Sequence, residues 1–193
     1  MSRTVICGID EVGRGPWAGP VCAGAVVLHP DRPIAGLADS KTLSERARTL
    51  LAKEIVERAA AWSLGWARPE EVDRLNIRRA THLAMKRADK ALFHPYTQAL
   101  IDGTDVPPGL TGPGRAIVGG DGTIPEISAA SILAKVKRDS LMIDLDERYP
   151  GYGFASHKGY GTRQHRQALD DLGPCPAHRL SFKPVALVGK QSA

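Results

Sequence analysis

The sequence has no long hydrophobic run, and nowhere does it reach the roughly 18 apolar residues of a membrane-spanning helix. Its start, MSRTVICGID, lacks the apolar segment of a signal peptide and reads as the beginning of a strand. Cysteine is scarce: Cys7, Cys22 and Cys175 are odd in number and show no metal-ligand spacing. These features predict free thiols and a cytoplasmic protein.

Several common catalytic motifs are also missing. The glycines around Arg14 do not match G-x-x-x-x-G-K-[S/T], so no P-loop is indicated. The six histidines contain no H-E-x-x-H pattern, and their scatter predicts no zinc site. The serines of SAAS lack a G-x-S-x-G setting, so Ser128 and Ser131 are expected to be small residues that let a helix pack closely.

The composition is that of a globular protein. The chain has 193 residues, of which 42% are hydrophobic and 24% charged, and no internal repeat or low-complexity linker divides it. We therefore predict one domain over residues 1–193. The net charge of +5 is compatible with a polyanionic partner but does not establish one.

Hydrophobic patterning predicts strands and helices that alternate along the chain, as in α/β proteins. The expected strands cover residues 4–10, 21–28, 62–67, 97–102 and 115–118. The expected helices cover residues 42–61, 77–92, 125–149 and 162–172.

Local signals are expected to set the helix ends. Thr42 and Glu45 match a capping box for the first helix. Ser128 is the expected cap of the long helix, and Pro150 should stop it. The segment 173–188 contains three prolines and is predicted to lie over the surface.

Acidic residues follow apolar strands at several places. Asp10 and Asp102 each end a predicted strand, and Asp121 follows another. A carboxylate at such a position is costly unless it is paired or binds a metal, and ligands of open α/β sheets bind at the carboxyl ends of strands. Glu11 can join Asp10 only if the backbone turns there, for which Gly13 and Gly15 supply the freedom.

Two interpretations of these acids remain open at this point. Each acid, taken alone, can simply cap a strand or turn. Taken together, clustered carboxylates suit Mg²⁺ or Mn²⁺, and two such ions about 4 Å apart can activate water and stabilise the leaving oxygen in phosphodiester hydrolysis.

Six segments in chain order carry a resemblance to a known family: GIDEVGRGPWAGPV, LADSKTLSE, LIDG, PEISAASILAKVKRD, SHKGYGT and HRLSFKPV. Together they resemble bacterial ribonuclease HII, the type 2 ribonuclease H. The resemblance implies an α/β ribonuclease H-like fold: a five-stranded mixed sheet flanked by helices, with a helical C-terminal region. The short stretch before Asp10 is expected to leave no room for the extra N-terminal domain of type 3 relatives.

The resemblance also implies an activity. The family consists of divalent-metal endonucleases that cut the RNA strand of RNA–DNA hybrids. They also cut 5′ of a single ribonucleotide in duplex DNA, leaving 3′-hydroxyl and 5′-phosphate ends. The implied cofactor is Mn²⁺ or Mg²⁺, two ions during catalysis. The implied catalytic and metal-binding residues are Asp10, Glu11, Asp102 and Asp121, although Gly119 stands where the family has a lysine two residues before Asp121.

Substrate contacts are implied in the same way. The backbone of Gly13, Arg14 and Gly15 is expected to sense the 2′-hydroxyl, and Tyr160 to pack on the sugar of the next nucleotide on the 3′ side. Further substrate contacts are expected from Ser40, Lys41 and Lys158, although the two lysines also suit solvated surface positions. The HRLSFKPV segment implies no role for His178, Arg179 or Lys183.

The expected partners are RNA–DNA hybrids and ribonucleotide-containing duplex DNA, bound by a monomer with no obligatory protein partner. A different nuclease or transposase on the same sheet is one alternative, against which the Gly13–Gly15 loop and Tyr160 argue. A catalytically inactive hybrid-binding module is the other, against which the complete set of four acids argues.

Overall fold

The computed structural model describes residues 4–189 and contains one five-stranded sheet in the order β3-β2-β1-β4-β5. The strands are β1 (Ile6–Val12), β2 (Val21–Val27), β3 (Ala61–Ala67), β4 (Gln98–Asp102) and β5 (Gly114–Ile117). Antiparallel pairing joins β1, β2 and β3, whereas β1–β4 and β4–β5 are parallel. The sheet is therefore mixed, which confirms the expected fold.

Helices cover both faces of the sheet. They are α1 (Glu45–Arg58), α2 (Pro69–Leu75), α3 (Ile77–Ala91), α4 (Pro125–Arg148), α5 (Phe154–His157), α6 (Arg163–Leu172) and α7 (Lys183–Gly189). The three that were not predicted, α2, α5 and α7, have four to seven residues, too few for a clear helical period. No helix within residues 4–189 is long and apolar enough to cross a membrane.

Successive side chains of each strand point alternately to the face covered by α3 and to the face covered by α4. Cys7 and Ile9 of β1 belong to the core on the α3 side. Gly8 lies on the other side, where a Cβ atom would meet the α4 backbone at Glu126 at 2.1 Å. This close approach brings α4 against the centre of the sheet, so that Ser131 lies near Asp10.

Both expected helix caps are wrong. Ser44 caps α1, because its hydroxyl accepts from the Ala47 N–H at 3.2 Å, whereas the Thr42 hydroxyl donates to the Asp39 carbonyl at 2.8 Å. The long helix begins at Pro125, whose missing N–H suits a first helical position. Ser128 lies inside α4 and donates to the Asp121 carbonyl at 2.6 Å.

The prediction that residues 173–188 lie over the surface is wrong for residues 177–179, although it holds for the exposed Leu180, Ser181 and Lys183. His178 is 2% exposed and Arg179 is fully buried. The Gly19 N–H donates to the Ala177 carbonyl at 2.8 Å, and the Arg179 N–H donates to the Trp17 carbonyl at 2.8 Å. These bonds pair residues 177–179 with the loop after β1 and bury them.

Candidate active site

A cavity of about 430 Å³ lies at the carboxyl ends of β1 and β4. Every predicted site residue except Asp121 and Lys158 lines it. The sheet brings them together because β1 and β4 are parallel neighbours, so that Asp10, Glu11 and Asp102 meet at one edge. This is the crevice at which α/β sheets bind ligands.

The two adjacent acids lie inside β1 and not at its end. The strand continues to Val12, with Asp10 opposite Gly24 and Glu11 opposite Ala23 of β2. The expected turn between the two acids is therefore absent. Both side chains nevertheless line the cavity, and Glu11 also borders a smaller cavity of about 90 Å³ on the α3 side.

Burial and mutual repulsion act on these carboxylates. Burial raises the pKa of Asp10 well above its usual value, and the charges of Glu11 and Asp102 raise it further. Hydrogen bonds from Ser131 and from the Glu11 N–H, the latter at 2.7 Å, oppose this rise. Burial also raises the pKa of Glu11, although Arg14, 3.2 Å away, partly offsets it.

Asp102 and Asp121 are linked through the short 3₁₀ turn Gly120–Gly122. One Asp102 oxygen accepts from the N–H groups of Gly120 at 2.8 Å and Asp121 at 3.3 Å. Asp121 is buried, and its Oδ2 accepts from Lys41 Nζ at 3.2 Å. Lys41 therefore brings a positive charge to Asp121, while Gly119, with φ of 66°, contributes no side chain.

The donor set fits a hard divalent cation. Within residues 4–189, no three His, Cys, Asp or Glu side chains form a preassembled metal site. Mg²⁺ typically keeps several waters and binds one or two carboxylates together with a substrate phosphate, so it does not need such a site. The repelling carboxylates of Asp10, Glu11 and Asp102 suit this mode of binding, since a cation relieves their repulsion.

The remaining predicted contacts surround the acids. Tyr160 is 45% exposed, and a Cβ atom at Gly15 would lie 3.6 Å from its ring. Ser40 is buried and its hydroxyl lies 3.0 Å from that of Ser131. Lys158 lies outside the cavity, and its ammonium donates to the Ala155 carbonyl. Its role as a phosphate contact stays a prediction.

Sequence reasoning missed three polar residues of the cavity: Arg48, Ser131 and Lys135. Ser131 and Lys135 are four residues apart on α4, a spacing that places both on one face and could have indicated them. Lys135 pairs with Asp139 at 2.8 Å. Arg48 donates to the Ser40 carbonyl at 2.9 Å and so supports the segment that carries Lys41.

A buried chain of hydrogen bonds supports the Tyr160 turn. The Cys175 N–H lies 3.0 Å from His178 Nδ1 and must donate to it. His178 Nε2 then donates to His165 Nε2 at 3.0 Å, and His165 Nδ1 donates to the Tyr160 carbonyl at 2.9 Å. Both rings are neutral in this arrangement. The pKa of each is lowered to about 4, chiefly by burial and to a smaller extent by charge on the neighbouring imidazoles.

Acid should destabilise the protein through this pair. The folded pKa values of His165 and His178 lie below the ordinary 6.5, so their stabilisation is present above pH 6.5 and is lost as the pH falls towards 4. We expect His178→Asn to flatten the fall in Tm between pH 7 and 5, where each kcal/mol corresponds to about 2–4 °C.

The raised pKa of Asp10 has the opposite effect, since it makes stability rise as the pH falls, and it does so in the wild type and in the variant alike. The difference in Tm between the wild type and His178→Asn therefore isolates the histidine contribution. His94→Asn, at a half-buried histidine outside this chain of hydrogen bonds, should leave the fall unchanged. Equal pH dependence of Tm in His178→Asn and the wild type would contradict the assignment.

Known proteins resemble this chain over nearly its whole length. The family model described as Ribonuclease HII matches residues 7–185. A ribonuclease HII of Halorhodospira halophila (strain DSM 244 / SL1) is 57% identical over 93% of this chain and 92% of that protein. Another, from Laribacter hongkongensis (strain HLHK9), is 57% identical over 96% of this chain and 93% of that protein.

Solved structures share the fold. Ribonuclease H2 from Pyrococcus horikoshii OT3 has a TM-score of 0.85 at 24% identity, covering 97% of this chain and 98% of that chain. Bst-RNase HIII in complex with Mn²⁺ has a TM-score of 0.75 at 17% identity, covering 98% of this chain and 70% of that chain. At these identities the likeness concerns the fold alone. On the family model and the sequence relatives, this chain belongs to the ribonuclease HII family, the type 2 ribonucleases H, and is an endoribonuclease.

Proposed function

We propose that the chain cuts 5′ of single ribonucleotides in duplex DNA and hydrolyses the RNA strand of RNA–DNA hybrids, leaving 3′-hydroxyl and 5′-phosphate ends. One observation carries the proposal: the buried Asp10, the half-buried Glu11 and Asp102, and the Gly13–Gly15 loop line the same cavity as Tyr160. The carboxylates can hold ions that act on a phosphodiester, and the glycine backbone can approach a ribose closely. One nucleotide in the cavity can thus contact both.

Asp10, Glu11, Asp102 and Asp121 are the residues that we assign to two divalent ions, Mn²⁺ or Mg²⁺. When bound, such ions activate water and stabilise the leaving oxygen of a phosphodiester. Their oxygen donors suit either ion, and Mn²⁺ is the ion in the Bst-RNase HIII structure of the same fold. For Asp121 this role requires that its carboxylate turn from Lys41 to the cavity.

The protein's own groups bind and orient the nucleic acid. The backbone of Gly13, Arg14 and Gly15 faces the ribose whose 2′-hydroxyl distinguishes RNA from DNA. The Tyr160 ring packs on the sugar of the next nucleotide on the 3′ side, where a deoxyribose fits best. Ser40, Lys41 and Lys158 are assigned to the substrate backbone, which fixes the register of the duplex without reading the sugar.

The proposal also covers the oligomeric state and the cellular location. We propose that the protein acts as a monomer, without an obligatory protein partner. Cys7, Cys22 and Cys175 are free thiols, which suits a reducing cytoplasm, where we place the enzyme.

A duplex with one ribonucleotide tests the proposal. Nicking is expected with Mg²⁺ or Mn²⁺ and should stop when EDTA is added. Binding of this duplex without nicking in either ion would favour the inactive hybrid-binding module. Nicking of a matched all-DNA duplex at the same rate would favour a different nuclease on the same fold.

Lys41→Ala should weaken the binding of both substrates by the same factor. A phosphate contact carries no sugar information, and removing one lowers the slope of log affinity against log salt by about 1. The Lys41 side chain is 77% exposed, so its loss should cost little stability. The measurement is Kd against salt concentration for the hybrid and for the single-ribonucleotide duplex.

Lys53→Ala, which removes an exposed lysine of α1, is the matched control and should leave both slopes unchanged. A loss confined to one of the two substrates would contradict the phosphate role of Lys41.

A further inference from the structure

Two arginines are buried beneath the Gly13–Gly15 loop. Arg138 and Arg179 are both fully buried, and neither pairs with a carboxylate in the part of the chain that the structure describes. Burying an unpaired cation is costly. The pKa of Arg179 is lowered to about 9, chiefly by burial and to a smaller extent by the charge of Arg138. Such a cost calls for a compensating interaction.

The hydrogen bonds of the Arg179 guanidinium go to backbone carbonyls, and its Cζ also lies over the Phe182 ring, 5.2 Å from the ring centroid. Nη2 donates to the Gly13 carbonyl at 2.6 Å and Nη1 to the Arg14 carbonyl at 2.9 Å. Nε donates to the Gly19 carbonyl at 3.0 Å. The planar guanidinium therefore binds two consecutive peptide groups of the loop from the buried side.

This grip determines where the N–H groups of the loop point. The peptide bonds after Gly13 and Arg14 are trans, so the N–H of each points away from its carbonyl. The carbonyls face buried Arg179, so the N–H groups of Arg14 and Gly15 point away from it, in a loop that lines the cavity. Neither N–H donates to an acceptor within residues 4–189. Two backbone donors are thus available to a ligand.

Arg138 binds a different set of backbone carbonyls in the same region. It donates to the carbonyls of Ala18 at 3.2 Å and Pro20 at 3.0 Å, and to that of Lys158 at 3.0 Å. It therefore ties residues 18–20, which follow the Gly13–Gly15 loop, to the turn that carries Tyr160. A Cβ atom at Gly13 would lie 2.1 Å from its Nε, which keeps this position a glycine.

We propose that Arg179 is the positioning residue for ribose recognition: it turns the Gly13 and Arg14 carbonyls inward and presents the Arg14 and Gly15 N–H groups to the 2′-hydroxyl. The inference rests on the proposed ribonuclease function. A cation bound to a carbonyl polarises the peptide group, which strengthens the N–H on its far side as a donor. Arg179 would thus act on the sugar through the backbone, without touching it.

Binding without catalysis tests this role. The readout is the ratio of Kd for an all-DNA duplex to Kd for the same duplex with one ribonucleotide, measured in EDTA. We expect Arg179→Gln to lower this ratio by about tenfold, the value of about one hydrogen bond. Arg179→Lys keeps the charge but loses the fork, so it should lie between Arg179→Gln and the wild type.

Arg138→Gln is the matched control, because it removes another buried arginine of the same region that does not bind the Gly13 or Arg14 carbonyl. It should weaken both duplexes equally and preserve the ratio. A ratio that is unchanged in folded Arg179→Gln, or that falls equally in Arg138→Gln, overturns the proposal. A wild type that binds both duplexes equally would instead count against the ribose recognition itself.

The wild-type protein provides a second measurement that needs no folded variant. The amide resonances of Arg14 and Gly15 should shift downfield on binding the ribonucleotide duplex and shift less on binding the all-DNA duplex. Equal shifts with both duplexes would overturn the proposal.

Discussion

Asp10→Asn is expected to lower kcat by about 10³-fold or more, which corresponds to about 4 kcal/mol at 1.36 kcal/mol per tenfold. The carboxylate lines the same cavity as Glu11 and Asp102, whose charges act on it, and an amide offers a cation no charge. Hybrid binding should remain intact or become stronger, because one negative charge near the phosphates is lost.

The same substitution should raise the stability of the metal-free protein at pH 7. The folded pKa of Asp10 is raised, so its favourable contribution is present below the unfolded pKa of about 4 and is lost as the pH rises through the folded pKa. Burial and the charges of Glu11 and Asp102 disfavour the ionised Asp10 carboxylate in the folded protein, and Asn removes this cost. A higher Tm together with lost cleavage is the expected signature.

The measurements are kcat on a single-ribonucleotide duplex and Tm in EDTA. Asp170→Asn, at an exposed acid of α6, is the control and should change neither. Near-normal turnover of Asp10→Asn would refute the assignment of this acid to the metals.

Tyr160→Ala should lower kcat/KM by about 10- to 100-fold on a single-ribonucleotide duplex, in line with about 1–3 kcal/mol for an aromatic side chain packed on a nucleotide. The loss on a continuous RNA–DNA hybrid should be smaller, because the nucleotide under the ring then carries a 2′-hydroxyl and fits less well. The exposed ring stands beside Gly15, so it can reach the nucleotide 3′ of the ribose that the loop binds.

Gly15→Ala is the comparison variant for this experiment. The space beside Gly15 admits a methyl group, so the variant should fold normally and yet impair both substrates by blocking the approach of the ribose to the backbone. Gly13→Ala is less suitable, since φ of 90° and the contact with Arg138 would disturb the loop itself. If Tyr160→Ala lowered kcat/KM equally on both substrates, the ring would be a general binding group and not a reader of the junction.

The sequence predicted the sheet well because each strand carries its own signal. The expected strand 21–28 corresponds to β2, and the expected strand 97–102 ends at the same Asp102 as β4. The acid pair was recognised within a specific motif, but its position inside β1 was missed. Polar residues usually mark the end of a strand, but β1 continues through Asp10 and Glu11. Its true end is therefore visible only in its pairing with β2.

Other features depend on tertiary contacts that local patterns do not encode. His178 and Arg179 are polar residues in a proline-containing segment, which is typical of surface, yet hydrogen bonds to the loop after β1 bury them. The first helix cap was misplaced because Thr42 and Ser44 are both good cap residues, and the turn at Asp39 takes the Thr42 hydroxyl.

The position of the cut tests the central claim most directly. A duplex with one ribonucleotide at a known position is incubated with Mn²⁺ and the wild-type protein, and the ends of the products are mapped. The account predicts one nick on the 5′ side of the ribonucleotide, with a 3′-hydroxyl and a 5′-phosphate, and no cleavage of the matched all-DNA duplex. Cuts scattered through the DNA, or a nick on the 3′ side of the ribonucleotide, would contradict it.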